Sequence, residues 1–189
     1  DGGTISFHHH FREGDKVLLA VVRELARLGF RNLTLASSSL AEAHSELVEH
    51  IERGVITRIY SSGMRGVLAD RISHGLMDEP VQIHSHGGRA ALIQTGELHL
   101  DVAFVGVPTA DHLGNANGTS GTSRCGSLGY AQVDAAYADC VVVLTEEIVP
   151  FPNQPASIAQ DQVDLLVRLD AVGDPSRIGV GATRVTKNP

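Results

Sequence analysis

The chain has 189 residues, enough for one ordinary domain that buries roughly 70% of its unfolded surface, so no disulfide scaffold is needed. Hydrophobic residues at 42% and charged residues at 20% exclude wholesale disorder and collagen-like structure. A net charge of -7, from 15 basic and 22 acidic side chains, excludes general attraction to nucleic acid or anionic lipid, and any anionic substrate must be held locally.

Short β-rich runs alternate with helical runs, beginning with a strand over Thr4 to Phe7. Asp15 is placed to cap a helix in which Val17, Leu18, Val21, Val22, Leu25 and Leu28 recur at helical spacing, with Gly29 as a left-handed stop. A strand over Asn32 to Ala36 leads to a second helix. Ser39 and Glu42 have the spacing of reciprocal capping, Ala43, Leu47, Val48 and Ile51 form the buried stripe, and Gly54 ends it. Strands follow over Val55 to Tyr60 and Val81 to His84, separated by a weaker helix from about Val67 to Met77. A short helix after Gly88 precedes strands over Val102 to Val107, Val141 to Thr145 and Val163 to Leu169. Residues 108–130, rich in Gly, Asn, Ser and Thr, read as a functional loop. This order predicts an α/β fold with a mainly parallel sheet and helices on both faces, because parallel neighbours need crossover helices.

Two cysteines, Cys125 and Cys140, fit reduced thiols in a cytoplasmic protein. The longest aliphatic run, Val17 to Val22, is far short of the roughly 20 residues of a membrane span. The chain begins at Asp1 without Met and reads as a segment of something longer.

Ligands of open parallel sheets bind beyond the carboxyl ends of the strands. Three such ends share a pattern: His8-His9-His10-Phe11-Arg12 after the first strand, Ser61-Ser62-Gly63-Met64-Arg65-Gly66 after the third, and Ser85-His86-Gly87-Gly88-Arg89 after the fourth. Each sets glycine or hydroxyl residues and one arginine before a helix, offering N–H donors beside a guanidinium fork suited to a carboxylate or phosphate. Arg12, Arg65 and Arg89 are therefore candidate substrate forks, with Gly63, Gly87 and Gly88 as close-approach positions and Arg124 in reserve. Asn115, Asn117 and Gly118 are candidates for holding a hydroxyl or amide, the alternative being turn formation. His8, His10, Ser85 and His86 are the candidate catalytic groups.

Alternation puts His8 with His10 and His84 with His86, which invites a zinc cage. No carboxylate or thiolate stands at ligand spacing, so neutral imidazole donors to an oxyanion are the favoured reading, and no metal is assigned. Cys125 lacks an accompanying base and reads as incidental. Cys140 packs at a strand start, and Glu146 and Glu147 sit at a strand end as either site carboxylates or solvated groups. His44, His50, His74, His99 and His112 read as surface or helix-end residues.

The ordered set of Asp1 to Asp15 with its triple histidine, Leu33 to Leu40, Pro80-Val-Gln-Ile-His-Ser-His-Gly-Gly-Arg89, Gly114-Asn-Ala-Asn-Gly118, Cys125 to Tyr130 and Gly181-Ala-Thr-Arg184 closely resembles the alpha subunits of bacterial citrate lyase. The resemblance spans essentially the whole chain and implies a NagB/RpiA/CoA-transferase-like α/β domain, residues 1–189 forming the first half of a two-domain subunit. It implies an acyl transferase that exchanges acetyl for citryl on the thioester of an acyl carrier protein or CoA. No cofactor is bound in the subunit, and the partners are the citrate lyase beta subunit and the acyl carrier protein. Many superfamily members use a covalent glutamate; the resemblance implies instead direct attack by citrate through a mixed anhydride. Where relatives carry a Gly-Gly-Phe oxyanion turn, this chain has His8, His9, His10 and Phe11. A non-catalytic scaffold and another CoA-transferase or sugar-phosphate isomerase relative are the competing expectations.

Overall fold

Residues 1–179 are described in this computed structural model, and they alternate strand and helix as the sequence predicts. The strands are β1 (Thr4–Phe7), β2 (Leu33–Ser37), β3 (Ile56–Ser61), β4 (Gln82–Ile83), β5 (Val102–Asp111), β6 (Ala116–Asn117), β7 (Cys140–Val149) and β8 (Leu165–Arg168). The helices are α1 (Val17–Arg27), α2 (Leu47–Glu52), α3 (Gly66–Ser73), α4 (His86–Thr95) and α5 (Ala131–Tyr137). The sheet runs β4-β3-β2-β1-β5-β7-β8 with every neighbouring pair parallel, and β6 folds back antiparallel on β5.

The strand order steps outward from β1 to β4, then returns to the other side of β1 with β5. The crevice between β1 and β5 is thus the topological switch point, where loops diverge and a ligand finds room. Register aligns Phe7, Ser37, Ser61 and Ile83 in one row, so the segments after four adjacent strands leave from one edge.

Period-two alternation distributes the central strands between two cores. Val142 and Leu144 of β7 pack with Ile5, Phe7, Val17, Val22, Leu47 and Leu68, beneath α1, α2 and α3. Ala103, Val105, Val107, Val141 and Val143 face Leu128, Ala131 and Ala135, beneath α5. Ile93 of α4 packs with Ala36, Leu98 and Leu100 on that same opposite side.

The first crossover follows the sequence closely. The Asp15 carboxylate accepts from the Leu18 N–H at 3.0 Å, and Gly29 takes φ +90° just past α1. The second does not. Ser39 turns its hydroxyl to the Gly63 carbonyl at 3.3 Å, residues 42–44 make a single tight turn, and α2 starts only at Leu47. His44 takes over the capping role: its Nδ1 accepts from the Ala41 N–H at 3.0 Å while Nε2 faces Asp15 at 3.2 Å. His44 and His50 are buried, not surface residues, whereas His74, His99 and His112 are exposed as expected. Residues 108–130 are not one loop. β5 continues to Asp111, a hairpin returns through β6, and an irregular segment from Gly118 leads into α5, which the sequence reading missed. The Gly181 to Arg184 motif lies outside the described residues.

Candidate active site at the carboxyl edge of the sheet

Five rings and one helix terminus meet past the ends of β1 and β4. His8 stacks on His9 with ring centroids 5.2 Å apart and on His10 at 5.3 Å. His9 meets the edge of His86 at 5.0 Å, and Tyr130 lies 5.4 Å from His86 and 6.3 Å from His8. β1 stops at Phe7, so the three histidines lie in a turn and strand alternation does not divide them. His9, left out of the expected site, lies in the same cluster as His8, His10 and His86.

Hydrogen bonds fix which ring atoms carry protons. His10 Nε2 lies 2.6 Å from the Gly106 carbonyl, which can only accept, so Nε2 bears the proton. Burial pulls His10 below its usual pKa, with the Gly106 bond and Asp15 only partly opposing it, so the ring is neutral and Nδ1 is a bare acceptor. His8 Nδ1, 3.2 Å away, is then the donor to it. His8 is also neutral at physiological pH, its pKa lowered chiefly by burial and then by His10, His9, Arg89 and His86. Its Nε2 carries a lone pair, is shut off from solvent and has no partner among the described residues. Ser38 Oγ accepts from the His9 backbone N–H at 3.0 Å and sits 2.6 Å from His9 Nδ1. Ser38 finds its own acceptor only if its hydroxyl donates to Nδ1, which leaves His9 Nε2–H as a donor. His9 too is neutral, its pKa lowered to about 4 by burial, then by the charges of His86, His10, Arg12 and Arg65.

The geometry differs from the expected pair of imidazole donors. His10 has both nitrogens engaged, by Gly106 and His8. Neutral His8 offers an acceptor, not an N–H. Nor do the four imidazoles of the zinc reading bring their ligand atoms together among the described residues, and the His84 ring stacks on Tyr60 at 6.3 Å. Among the described residues, ligand atoms close enough for a metal occur at His99, Asp101 and Asp139, all exposed.

The start of α4 is capped by Ser85, whose hydroxyl accepts from the Gly88 N–H at 3.0 Å. Ser85 and Gly88 thus satisfy each other, while His86 and exposed Gly87 present the open N–H groups of the helix terminus. Arg89 points inward. Its guanidinium holds both Asp134 oxygens, at 2.7 and 2.8 Å, and the Ala36 carbonyl at 2.9 Å, with the residue 1% exposed. It is not free to clamp a substrate, although its charge reaches His8.

Arg65 is exposed and pairs with Glu13 at 3.0 Å. The Gly63 N–H donates to Ser61 Oγ and its carbonyl accepts from the Leu40 N–H, so Gly63 stitches two loops together and does not face a ligand. Asn115 and Asn117 are buried: Asn115 binds Asp111 and Gln160, and Asn117 donates to Asn153 while accepting from Thr119 and Ser120. They close the β5–β6 hairpin, the turn-forming alternative. At Gly118 a Cβ would come within 2.1 Å of the Gly126 carbonyl, so glycine is required there by backbone contact.

Arg12, held at φ +54°, and Arg124 line a cleft of about 680 Å³ with Gly118, Thr119, Thr122 and Cys125; Gly179 also borders it. The glycine-rich segment after Gly118 runs from this cleft to Tyr130 beside the histidines. Burial pushes the Cys125 thiol up to about 12, which makes it a poor nucleophile, as expected. Glu146 accepts from the Ser123 N–H and hydroxyl and the Val172 N–H, so it is a structural bracket. Glu147 is exposed.

The mainly parallel α/β architecture is similar to that of coenzyme A transferases of known structure. Glutaconate coenzyme A-transferase from Acidaminococcus fermentans superposes with a TM-score of 0.66 over 89% of this chain and 71% of that one, at 13% identity. A malonate decarboxylase alpha subunit from Acinetobacter baumannii has the same fold, with a TM-score of 0.66 over 91% of this chain and 32% of that one, at 19% identity. The family model for the citrate lyase alpha subunit matches residues 1–189, and the chain belongs to that family. The citrate lyase alpha chain of Klebsiella pneumoniae is 67% identical over all of this chain, and that of Escherichia coli strain K12 is 63% identical. The chain spans 37% of the length of each. A crystal structure of the alpha subunit of citrate lyase from Streptococcus mutans, in complex with citrate, is 56% identical, with a TM-score of 0.94 over all of this chain and 37% of that one.

Proposed function

We propose that this chain is the citrate-binding part of an acyl transferase that exchanges acetyl for citryl on the thioester of an acyl carrier protein or CoA. One observation carries the reading: the His9 ring, with Nδ1 held by Ser38 Oγ, meets the His86 ring at 5.0 Å at the start of α4, where backbone N–H groups are free. A carboxylate oxygen of citrate attacks the acetyl thioester carbonyl carbon, and the carbonyl π electrons move onto oxygen. Collapse of that tetrahedral oxyanion breaks the C–S bond and releases the thiolate, leaving an acetyl–citryl anhydride. The thiolate then attacks the citryl carbonyl and acetate leaves, so the net change is acetyl thioester plus citrate to citryl thioester plus acetate. Donors aimed at the oxyanion act only while it exists, and each is worth about 2.7–4 kcal/mol.

Neutral imidazoles suit this chemistry, because they donate without forming an ion pair that would hold the carboxylate back from attack. Arg12 and Arg124 supply cationic forks within one cleft for the remaining carboxylates. The thioester arrives as substrate, so no resident cofactor is required. In this reading residues 1–189 form one α/β domain that meets the rest of the subunit over this edge. The beta subunit and acyl carrier protein are its partners, and the setting is the cytoplasm, with no role in nucleic-acid or membrane binding. No helix among the described residues is long and apolar enough to cross a membrane.

The test is isotope exchange by the full-length subunit given acetyl-CoA and labelled citrate. Label is expected in the citryl thioester with matching release of acetate, and His9→Ala is expected to slow exchange about 10²–10³-fold. Absence of exchange in the wild type overturns the transferase reading, and a full rate in His9→Ala removes His9 from the site.

A further inference from the structure

His8 Nε2 is one of six buried side-chain polar atoms with no partner among the described residues, and it lies in the histidine cluster, held as an acceptor by a relay ending on the backbone of another strand. An unpaired polar atom away from water is costly, and such atoms in a folded protein point to a missing partner. Gly106 anchors the relay. Its carbonyl takes the His10 Nε2 proton, His10 Nδ1 takes the His8 Nδ1 proton, and the lone pair is displaced to the far side of His8. Rotation of either ring would break one of these bonds.

The ligand that satisfies this atom must bring a hydrogen. Resting on the reading that citrate binds here, the choice is narrow, because the three carboxylates of citrate at neutral pH carry none. Its tertiary hydroxyl is the sole donor. We propose that His8 Nε2 accepts the hydrogen bond of the citrate hydroxyl and so makes His8 a specificity-determining residue, distinguishing citrate from tricarboxylates that lack that group. Of the three rings stacked on His8, His9 and His10 are pinned by Ser38 and Gly106. Tyr130 is 41% exposed and its hydroxyl makes no hydrogen bond among the described residues, so it is the ring that yields when the ligand enters. Reading a hydroxyl through a buried polar group gives strong discrimination, since the analogue lacking it leaves the group unpaired.

The experiment is calorimetric titration of the full-length subunit with citrate and with propane-1,2,3-tricarboxylate, its deoxy analogue. Wild type is expected to favour citrate by about tenfold or more. His8→Phe, which keeps a ring in the stack but no acceptor, is expected to bind both ligands equally. The same ratio falls in the positioning variant His10→Phe, where the His8 proton is no longer fixed. Equal affinities in the wild type, or an undiminished preference in His8→Phe or His10→Phe, overturn the proposal while leaving citrate binding intact; no binding of either ligand overturns the underlying functional reading as well. Should the variants fail to fold, neutron diffraction from wild-type crystals with citrate decides. A deuteron on His8 Nδ1, with the citrate hydroxyl aimed at Nε2, supports the assignment, and a deuteron on Nε2 refutes it.

Discussion

Arg89 and Asp134 form a two-pronged ion pair sealed between α4 and α5, with both side chains 2% exposed. It is the polar bolt of this face of the sheet, since the same guanidinium also takes the Ala36 carbonyl at 2.9 Å. Removing one partner strands the other charge without water. Arg89→Ala or Asp134→Ala is therefore expected to destabilise the full-length subunit by about 3–5 kcal/mol. Replacing both by apolar residues of similar volume is expected to restore most of that loss. Urea denaturation of the two single variants and the double variant checks this; a single variant with unchanged stability contradicts the bolt.

The three neutral histidines give a signed pH dependence. His9 has its pKa lowered from 6.5 to about 4 in the fold, and those of His8 and His10 are lowered too. The unfolded chain therefore binds more protons than the native one between these values, so stability is fully present above pH 6.5 and falls as the pH drops toward 4. His9 contributes to that decline across the whole window. Chemical denaturation at a series of pH values should show this decline, and it should be shallower in His9→Gln. An identical slope in the variant removes His9 as its source.

What the sequence shows and what it hides follow from distance along the chain. α1 was legible because its apolar spacing, the Asp15 cap and the Gly29 stop lie within fifteen residues. β5 extends beyond the Val107 expected from the sequence: Pro108 has no pairing partner on β7, yet the register continues unshifted from Val107–Thr145 to Thr109–Glu147. α5 was missed because seven residues containing three alanines carry little periodicity. The anion pattern at three strand ends pointed to one edge of the sheet, yet it could not tell a clamp from a bolt. Arg89 is committed by Asp134, forty-five residues away, and the lone pair on His8 is set by Gly106, nearly a hundred residues on. Local pattern names the candidates; what each side chain holds is decided by long-range partners.

Gly106 is constrained on two sides. A Cβ there would lie 2.7 Å from Val17 Cγ2 and 2.8 Å from Phe11 Cε2, and both side chains are buried. Gly106→Ala is expected to cost about 1–3 kcal/mol by overpacking. The same displacement moves the carbonyl away from His10, so citrate affinity should fall with stability. Thermal denaturation alongside citrate titration measures both, and a stable variant with normal affinity contradicts the close packing.

Asp111 ends β5 and holds the hairpin that carries the glycine-rich segment. Burial by itself would raise its pKa, but bonds from the N–H groups of Asn153, Leu113 and Asn115 and from the Asn115 amide outweigh it and lower the pKa overall. Every one of these partners donates to the carboxylate. Asn at this position turns one acceptor oxygen into an NH₂ group facing donors, so Asp111→Asn is expected to lose about 2–3 kcal/mol, as for hydrogen bonds to a charged group. Because the native pKa is depressed, the Asp111 contribution is present above the unfolded value and fades as pH falls through the folded one. Wild type and Asp111→Asn should therefore converge in stability in strong acid and separate toward neutrality. Denaturation curves at both extremes test this, and a gap that stays constant with pH rules out the carboxylate as the hub.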